Sequence, residues 1–373
     1  MTIAIDENIP LLAEAINNEH NDFQVLRFQG RTLTKEALRD CVALCVRSTT
    51  RVDESLLFQT PVRFVGTATS GSEHIDHNFL RASGILFHDA KGCNADSVAE
   101  YVLFAILLWA EKRGFIRDKQ ALRGKTLGIV GYGHIGQRVA RLALKMGLRV
   151  IVSDPPFLDA GGEFARGTEA MALQTIAQEC DILTNHVPYT LGGNYETVGM
   201  FDDGVFKTLR AESLFIHASR GGIISESALQ NAIEERHIFA AVDVWHNEPH
   251  INAALAQKCL LATPHIAGYS HQGKINGSQM IARALERFVE RVLGKHLSVD
   301  WGVFEDALEQ AKPRFKHDFT DHQSLLEALR ESRKFEADNS QLLASLAEPN
   351  AGASFDILRK TYPQRHEILL GTE

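Results

Sequence analysis

Gly131-Tyr132-Gly133-His134-Ile135-Gly136 follows the apolar run Leu127–Val130 and precedes Gln137–Lys145, a stretch of helical composition. Strand, glycine-rich turn and helix in that order are the context a dinucleotide-binding fingerprint requires. The first glycine permits a tight turn, the second lets backbone approach a pyrophosphate, and the third lets helix and strand pack closely. The helix N-terminus then offers free N–H groups and a positive dipole end to the anion. Asp154 ends the next apolar run, eighteen residues after Gly136. A carboxylate there accepts hydrogen bonds from ribose hydroxyls and repels a 2′-phosphate. Arg149 precedes that run, and Pro155, Pro156 and Phe157 rather than a cation follow Asp154. NAD is therefore expected in preference to NADP, held by Gly131, Gly133, His134, Ile135, Gly136 and Asp154.

Outward from this turn, apolar strands are expected near Leu127–Val130, Val150–Ser153, Ile182–Thr184, Leu214–His217, Ala240–Val244 and Leu260–Ala262. Helical stretches such as Gln137–Lys145 and Glu226–Glu235 separate them. Strand alternating with helix at this spacing implies a parallel sheet covered on both faces, a doubly wound (Rossmann) domain. Upstream, Thr2–Ile5, Ala43–Val46 and Phe64–Thr67 read as strands of a smaller α/β unit, and Ala95–Lys112 as a helix leading out of it. Downstream, Gly277–Leu293 carries Met280, Ile281, Leu285, Phe288, Val289 and Val292 at helical spacing. Its return to the first unit would make that unit discontinuous. The expected domains are 1–95 with 264–296, then 96–263, then a more charged third domain, 297–373, with a surface loop at Glu348–Ser354.

The 373 residues are enough for two or three domains, and 45% hydrophobic with 23% charged residues is ordinary for a globular chain. A net charge of −8 argues against general attraction to nucleic acid or anionic lipid. Any anionic substrate needs a locally basic pocket. Five scattered cysteines without CxxC pairs read as reduced thiols. The opening MTIAIDENIP has no basic signal region, and the longest apolar run, Tyr101–Ala110, is too short to cross a membrane. A cytoplasmic location is expected, with no membrane partner.

Three further segments each follow an expected strand: HASRGG at 217–222, DVWHNEP at 243–249 and TPHIAGYS at 263–270. Open α/β sheets bind ligands beyond the C-terminal ends of their strands. Arginine, glutamate and histidine there could converge on one substrate. The spacings His74/His77 and His246/His250 suggest a metal, but Pro249 forbids the helix a zinc HExxH needs and no cysteine cluster completes either pair. No metal is expected.

Through GYGHIG, Asp154, NHVP at 185–188, SRGG, Glu248-Pro249 and Pro264-His265, the sequence resembles the NAD-dependent D-2-hydroxyacid dehydrogenase family. Within it, VRSTTRVDESLL at 46–57, VGTATSGSEHID at 65–76, GCNADSVAEYV at 92–102 and the tail FDILRKTYPQR at 355–365 look like the members acting on a 4-phosphorylated four-carbon hydroxy acid in pyridoxal phosphate synthesis. The resemblance implies a flavodoxin-like α/β substrate domain beside the NAD domain, a small α/β C-terminal dimerisation domain, and hence a homodimer. It also implies that Arg220 binds the substrate carboxylate, that His265 is the acid/base, and that Glu248 holds His265 in its tautomer. By the same resemblance Val187, Ala218, Asp243 and Gly268 join the cofactor contacts, with Asp243 on the nicotinamide carboxamide. Ser48, Thr69 and Tyr269 match substrate-contacting positions. A 4-phosphate needs cations, and Arg47, beside Ser48 after an expected strand, is the candidate, with Arg359 or Lys360 of a partner subunit in support. Two other readings stay open: another D-2-hydroxyacid dehydrogenase, oxidising 3-phosphoglycerate or reducing glyoxylate or another 2-oxo acid, and an NADH-sensing binding protein.

Overall fold

Every strand pairing in the computed structural model, which describes residues 1–16, 23–116, 120–313 and 317–369, is parallel. The contacts divide the chain into two units, Met1–Asn94 with Ser270–Lys312, and Ala95–Tyr269 with Pro313–Glu373.

The first unit carries β1 (Thr2–Asp6), β2 (Gln24–Phe28), β3 (Cys41–Val46), β4 (Phe64–Thr67) and β5 (Leu86–Asp89) in the order β2-β1-β3-β4-β5. This is the flavodoxin-like order, in which the strand sequence reverses between β1 and β3. The central strands are buried on both faces, so they read as continuous apolar runs such as CVALCV rather than as alternation. Helix His271–Leu293 covers one face, its Ile275, Ile281, Leu285, Phe288 and Val289 packing with Ile3, Ile5 and Phe64.

The second unit carries β6 (Thr126–Val130), β7 (Arg149–Ser153), β8 (Thr168–Ala170), β9 (Ile182–Asn185), β10 (Leu214–His217), β11 (Phe239–Val242) and β12 (Leu261–Ala262), ordered β12-β11-β10-β9-β6-β7-β8. The order reverses between β6 and β9, the switch point at which such sheets bind ligands. Close packing shows at Gly128 in β6, where a Cβ would lie 2.3 Å from Ile176 of the covering helix Leu173–Glu179. Seven strands stand where six were expected. The extra one, β8, is a three-residue edge strand of TEA, half exposed, with no apolar pattern to announce it.

The stretch 297–373, expected as one α/β domain, is shared between the units and has no strand among its described residues. Helix Gly302–Gln310 belongs to the first unit; His322–Arg333, Phe335–Ser345 and Ala351–Lys360 belong to the second. The reason lies in the spacing of its apolar residues. Leu325, Leu326 and Leu329 recur at helical intervals and pack against the buried helix Ala95–Lys112, while Leu342 and Phe355 join a second cluster with Trp245. The last helix begins at Ala351, so the loop expected over Glu348–Ser354 is shorter. Inside the core, Arg333 and Glu100 are 0% and 1% exposed and form an ion pair, and the Ile368 and Leu369 amides donate to Glu100.

Candidate active site

The glycine turn assigns a separate job to each glycine. Gly131 has φ +92°, and a Cβ on it would lie 2.8 Å from the His186 carbonyl carbon and 2.9 Å from the Val187 nitrogen. The turn thus rests on the backbone leaving β9. A Cβ on Gly136 would lie 2.1 Å from the Gly131 carbonyl oxygen, so helix His134–Lys145 starts directly against the turn. Beside Gly133 nothing lies within 4 Å. That open space, at the first free N–H groups of a twelve-residue helix entered through His134 and Ile135, fits a pyrophosphate.

Asp154 joins this turn to β7. Its carboxylate accepts from the Tyr132 amide at 2.6 Å and caps the next short helix through the Phe157 amide at 3.0 Å. An open pocket of about 320 Å³ lies beside it, lined by Asp154, Pro155, Leu158, Met171 and Ala172 among others. These residues fit the adenosine half of NAD, with an acid where the ribose hydroxyls belong. Val187 and Ala218 follow β9 and β10 on the same edge of the sheet.

The turn after β12 is built on Asp243. This residue is 1% exposed, and its oxygens accept from the Thr263 hydroxyl at 2.7 Å, the Ile266 amide at 2.8 Å and the Ala267 amide at 3.0 Å. The His265 amide donates to the Asp243 carbonyl at 2.8 Å. Burial pushes the Asp243 carboxyl up, and the neighbouring His265 and these donors oppose it. Asp243 therefore fixes the segment that presents His265 and Gly268, in addition to any part it has in cofactor contact. His265 has φ +56°, a left-handed conformation uncommon for a residue with a side chain.

In that conformation the His265 ring reaches Glu248. Nδ1 donates to Glu248 Oε2 at 2.8 Å, and Oε1 accepts from the Trp245 amide at 2.9 Å. A carboxylate can only accept, so Nδ1 carries the proton of this bond, and in the neutral ring that tautomer puts the lone pair on Nε2. Burial alone would raise the Glu248 carboxyl; the His265 hydrogen bond and charge, the Trp245 amide and Arg359 outweigh it and hold the group below its usual range.

Arg220 follows β10 and is half-buried, with Nη1 donating to the Ser219 carbonyl at 2.8 Å. A Cβ on Gly221 would be 2.3 Å from the Trp245 carbonyl oxygen, so glycine lets the Arg220 loop lie on the loop that carries Glu248. Beneath it, Asn185, His217 and Ser219 form a buried hydrogen-bonded group. Burial pushes His217 and nearby His186 down to about 3, which keeps both neutral.

Within the first unit, Arg47 and Ser48 follow β3, which borders the reversal in that sheet, and Thr69 follows the adjacent β4. The Arg47 Nη1 is buried with no hydrogen-bond partner. Thr69 Oγ1 lies 2.8 Å from Thr67 Oγ1 and donates to the Gly71 carbonyl at 2.7 Å, which holds the loop closed on itself. His74 bonds Thr67 and is pushed down to about 4, chiefly by burial. Tyr269, in the second unit, packs its ring edge-on against Tyr362 at 5.7 Å.

Arg359, expected with Lys360 only as support for the phosphate from a partner subunit, places Nη1 3.7 Å from Glu248 Oε2 of its own chain, a contact that was not expected. No signal in the sequence connects two residues so far apart.

Residues 108–267 match the family model of the D-isomer specific 2-hydroxyacid dehydrogenase NAD-binding domain. Erythronate-4-phosphate dehydrogenase of Marinobacter nauticus is 41% identical over 370 residues, covering 98% of this chain and 93% of that protein. The enzyme of the same name from Hahella chejuensis is 37% identical, covering 98% and 92%. This chain belongs to the erythronate-4-phosphate dehydrogenase family. Like the wider D-isomer-specific group, it is an NAD-dependent 2-hydroxyacid dehydrogenase. Solved structures agree in fold. NAD-bound 3-phosphoglycerate dehydrogenase of Entamoeba histolytica superposes with a TM-score of 0.63 at 22% identity, covering 80% of this chain and 99% of that one. D-lactate dehydrogenase of Aquifex aeolicus, solved with NAD and lactic acid, gives 0.58 at 22% identity, with 80% and 99% covered. The family relatives match 98% of the chain, a span that takes in the C-terminal helices, while these two structures match 80%.

Proposed function

We propose that this dehydrogenase oxidises 4-phosphoerythronate to (R)-3-hydroxy-2-oxo-4-phosphooxybutanoate in pyridoxal 5′-phosphate biosynthesis. The observation that carries the chemistry is the 2.8 Å hydrogen bond from His265 Nδ1 to Glu248. It leaves Nε2 as the base for a C2 hydroxyl. NAD, when bound, supplies the hydride acceptor. His265 takes the hydroxyl proton as the carbonyl forms, and Glu248 stabilises the imidazolium that results. Arg220 binds the carboxylate, to whose two oxygens its planar fork is matched. Val187, Ala218, Gly268 and Asp243 frame the nicotinamide end, and Tyr269 contacts substrate. In the other unit, Ser48 and Thr69 supply polar contacts and Arg47, with its unpartnered buried Nη1, takes the phosphate. The relatives' shared name and near-complete length support this substrate over 3-phosphoglycerate or glyoxylate. Among the described residues no helix is long and apolar enough to cross a membrane. We place the enzyme in the cytoplasm as a homodimer.

The test is turnover of purified protein with NAD and 4-phosphoerythronate, and in reverse with NADH and the oxo acids of 3-phosphoglycerate and glycolate. Preference for 4-phosphoerythronate is expected. Arg47→Ala should raise its KM by at least about tenfold, the scale of a lost charge-assisted hydrogen bond, with the KM for NAD little changed. Equal turnover of all three acids, or an unchanged KM in Arg47→Ala, would refute the assignment of substrate or phosphate ligand respectively.

A further inference from the structure

The Glu248–His265 pair has a neighbour from outside the sheet. Arg359, near the end of helix Ala351–Lys360, places Nη1 3.7 Å from Glu248 Oε2, the oxygen that receives the His265 hydrogen bond. Its guanidinium also bonds the Tyr269 side chain, and its Nε is buried with no hydrogen-bond partner. The helix that carries it is pinned to the catalytic loop along its length. A Cβ on Gly352 would lie 2.6 Å from the His250 ring, so the helix begins directly against that loop. One turn on, Phe355 is buried in the same apolar cluster as Trp245, and the Arg359 guanidinium lies 6.0 Å from the Phe355 ring.

We propose that Arg359 is a positioning residue for the oxidation, whose fixed charge beside the Glu248 carboxylate weakens the pull of that carboxylate on the His265 proton and so favours the neutral imidazole that can accept a proton from substrate. This rests on the reading of His265 as the base. A carboxylate bonded to an imidazole favours imidazolium, and a base that already holds its proton cannot accept one. A guanidinium on the far side of the same carboxylate oxygen opposes that effect and remains charged throughout the working range. Other groups face the pair from several elements. Asp243 lies at the end of β11, His217 at the end of β10, Glu226 and His246 beside Glu248, and Tyr269 against Arg359. His217 is held neutral by burial. Glu226 is held toward its neutral form by burial too.

The experiment is the pH profile of kcat/KM for oxidation in Arg359→Met, Arg359→Gln and Arg359→Lys, with NADH fluorescence titration as the check on folding. In the two neutral variants the acid limb should move to higher pH by about one unit, the Coulomb effect of one charge across a partly buried site. The alkaline limb of the reverse reaction, which needs protonated His265, should move the same way. Arg359→Lys should restore both limbs. An acid limb that stays in place in Arg359→Gln while NADH still binds overturns the proposal. If KM for the phosphorylated acid alone rises, Arg359 is a substrate ligand instead. A limb that moves as far in Arg359→Lys as in Arg359→Met also overturns it, because charge is then not the agent. An active His265→Ala would instead defeat the base assignment beneath it, so the two failures are separable.

Discussion

The glycine turn at 131–136 is made by six consecutive residues, whereas the group around His265 draws Glu248, Asp243 and Arg359 from distant parts of the chain. In the turn, backbone is left open and side chains are kept away: φ +92° at Gly131, no room for a Cβ at Gly136, empty space at Gly133. At His265 the backbone is itself held in an unusual conformation beside the Asp243 carboxylate, and the ring is oriented by the Glu248 carboxylate. A site made of backbone can be written in a short motif. A site made of converging side chains is written only in the fold.

If that contrast is sound, mutations in the two regions should fail differently. The largest effect is expected at His265. His265→Ala should lower kcat by about 10²–10⁴ while NADH still binds, because general-base catalysis is worth that much and the cofactor turn is untouched. Retention of more than about a hundredth of kcat would break the assignment. Next come the glycines, compared with each other. Gly136→Ala forces a Cβ against the Gly131 carbonyl oxygen and should cost about 1–3 kcal/mol of stability together with NAD affinity. Gly133→Ala meets no protein atom, so it should weaken NAD binding with stability changed by less than about 1 kcal/mol. Equal destabilisation in chemical denaturation would remove the distinction drawn between them.

The most gradual effect concerns pH. His186 and His217 are pushed down to about 3 in the folded chain by burial, against about 6.5 when unfolded. Below pH 6.5 the unfolded chain binds more protons, so stability present above that pH is lost as pH falls toward 3. Each histidine should cost about 1.4 kcal/mol at pH 5.5, readable as a falling denaturation midpoint between pH 7 and 5.5. Raised carboxyls such as Asp243 act in the opposite sense at lower pH, which confines the clean window to the upper end. His217→Gln should flatten the slope. An unchanged slope would show that His217 does not titrate on unfolding as its burial requires.

The central strands of both sheets and the cofactor turn could be read from the sequence because strands buried on two faces are continuous apolar runs, and because glycine is forced wherever a Cβ has no room; β2 and β5, partly exposed edges of the first sheet, were not read. The Glu248–His265 pairing was legible through family motifs, since each residue lies in a short segment after a strand. What escaped had no local signature. β8 is three residues of an exposed edge. The helical character of the C-terminal stretch was hidden by its charge, although Leu325, Leu326 and Leu329 carry the spacing. Asp243 was read for cofactor contact, while its three hydrogen bonds to 263–267 depend on how β11 and the following turn meet. Arg359 reaches Glu248 only through the packing of a helix that begins, at Gly352, directly against the His250 ring.

The buried pair of Glu100 and Arg333 bears on modularity. Glu100 lies in the second turn of helix Ala95–Lys112, which opens the cofactor unit, and among the described residues the groups that satisfy it come from the far end of the chain: the Arg333 guanidinium and the Ile368 and Leu369 amides. A version of this protein trimmed before Arg333 would leave an ionisable carboxyl stranded in an apolar core, an outcome costing several kcal/mol. The C-terminal helices are therefore no appendage that could be shed to recover a minimal dehydrogenase. Shortening the chain would require rewriting position 100 first.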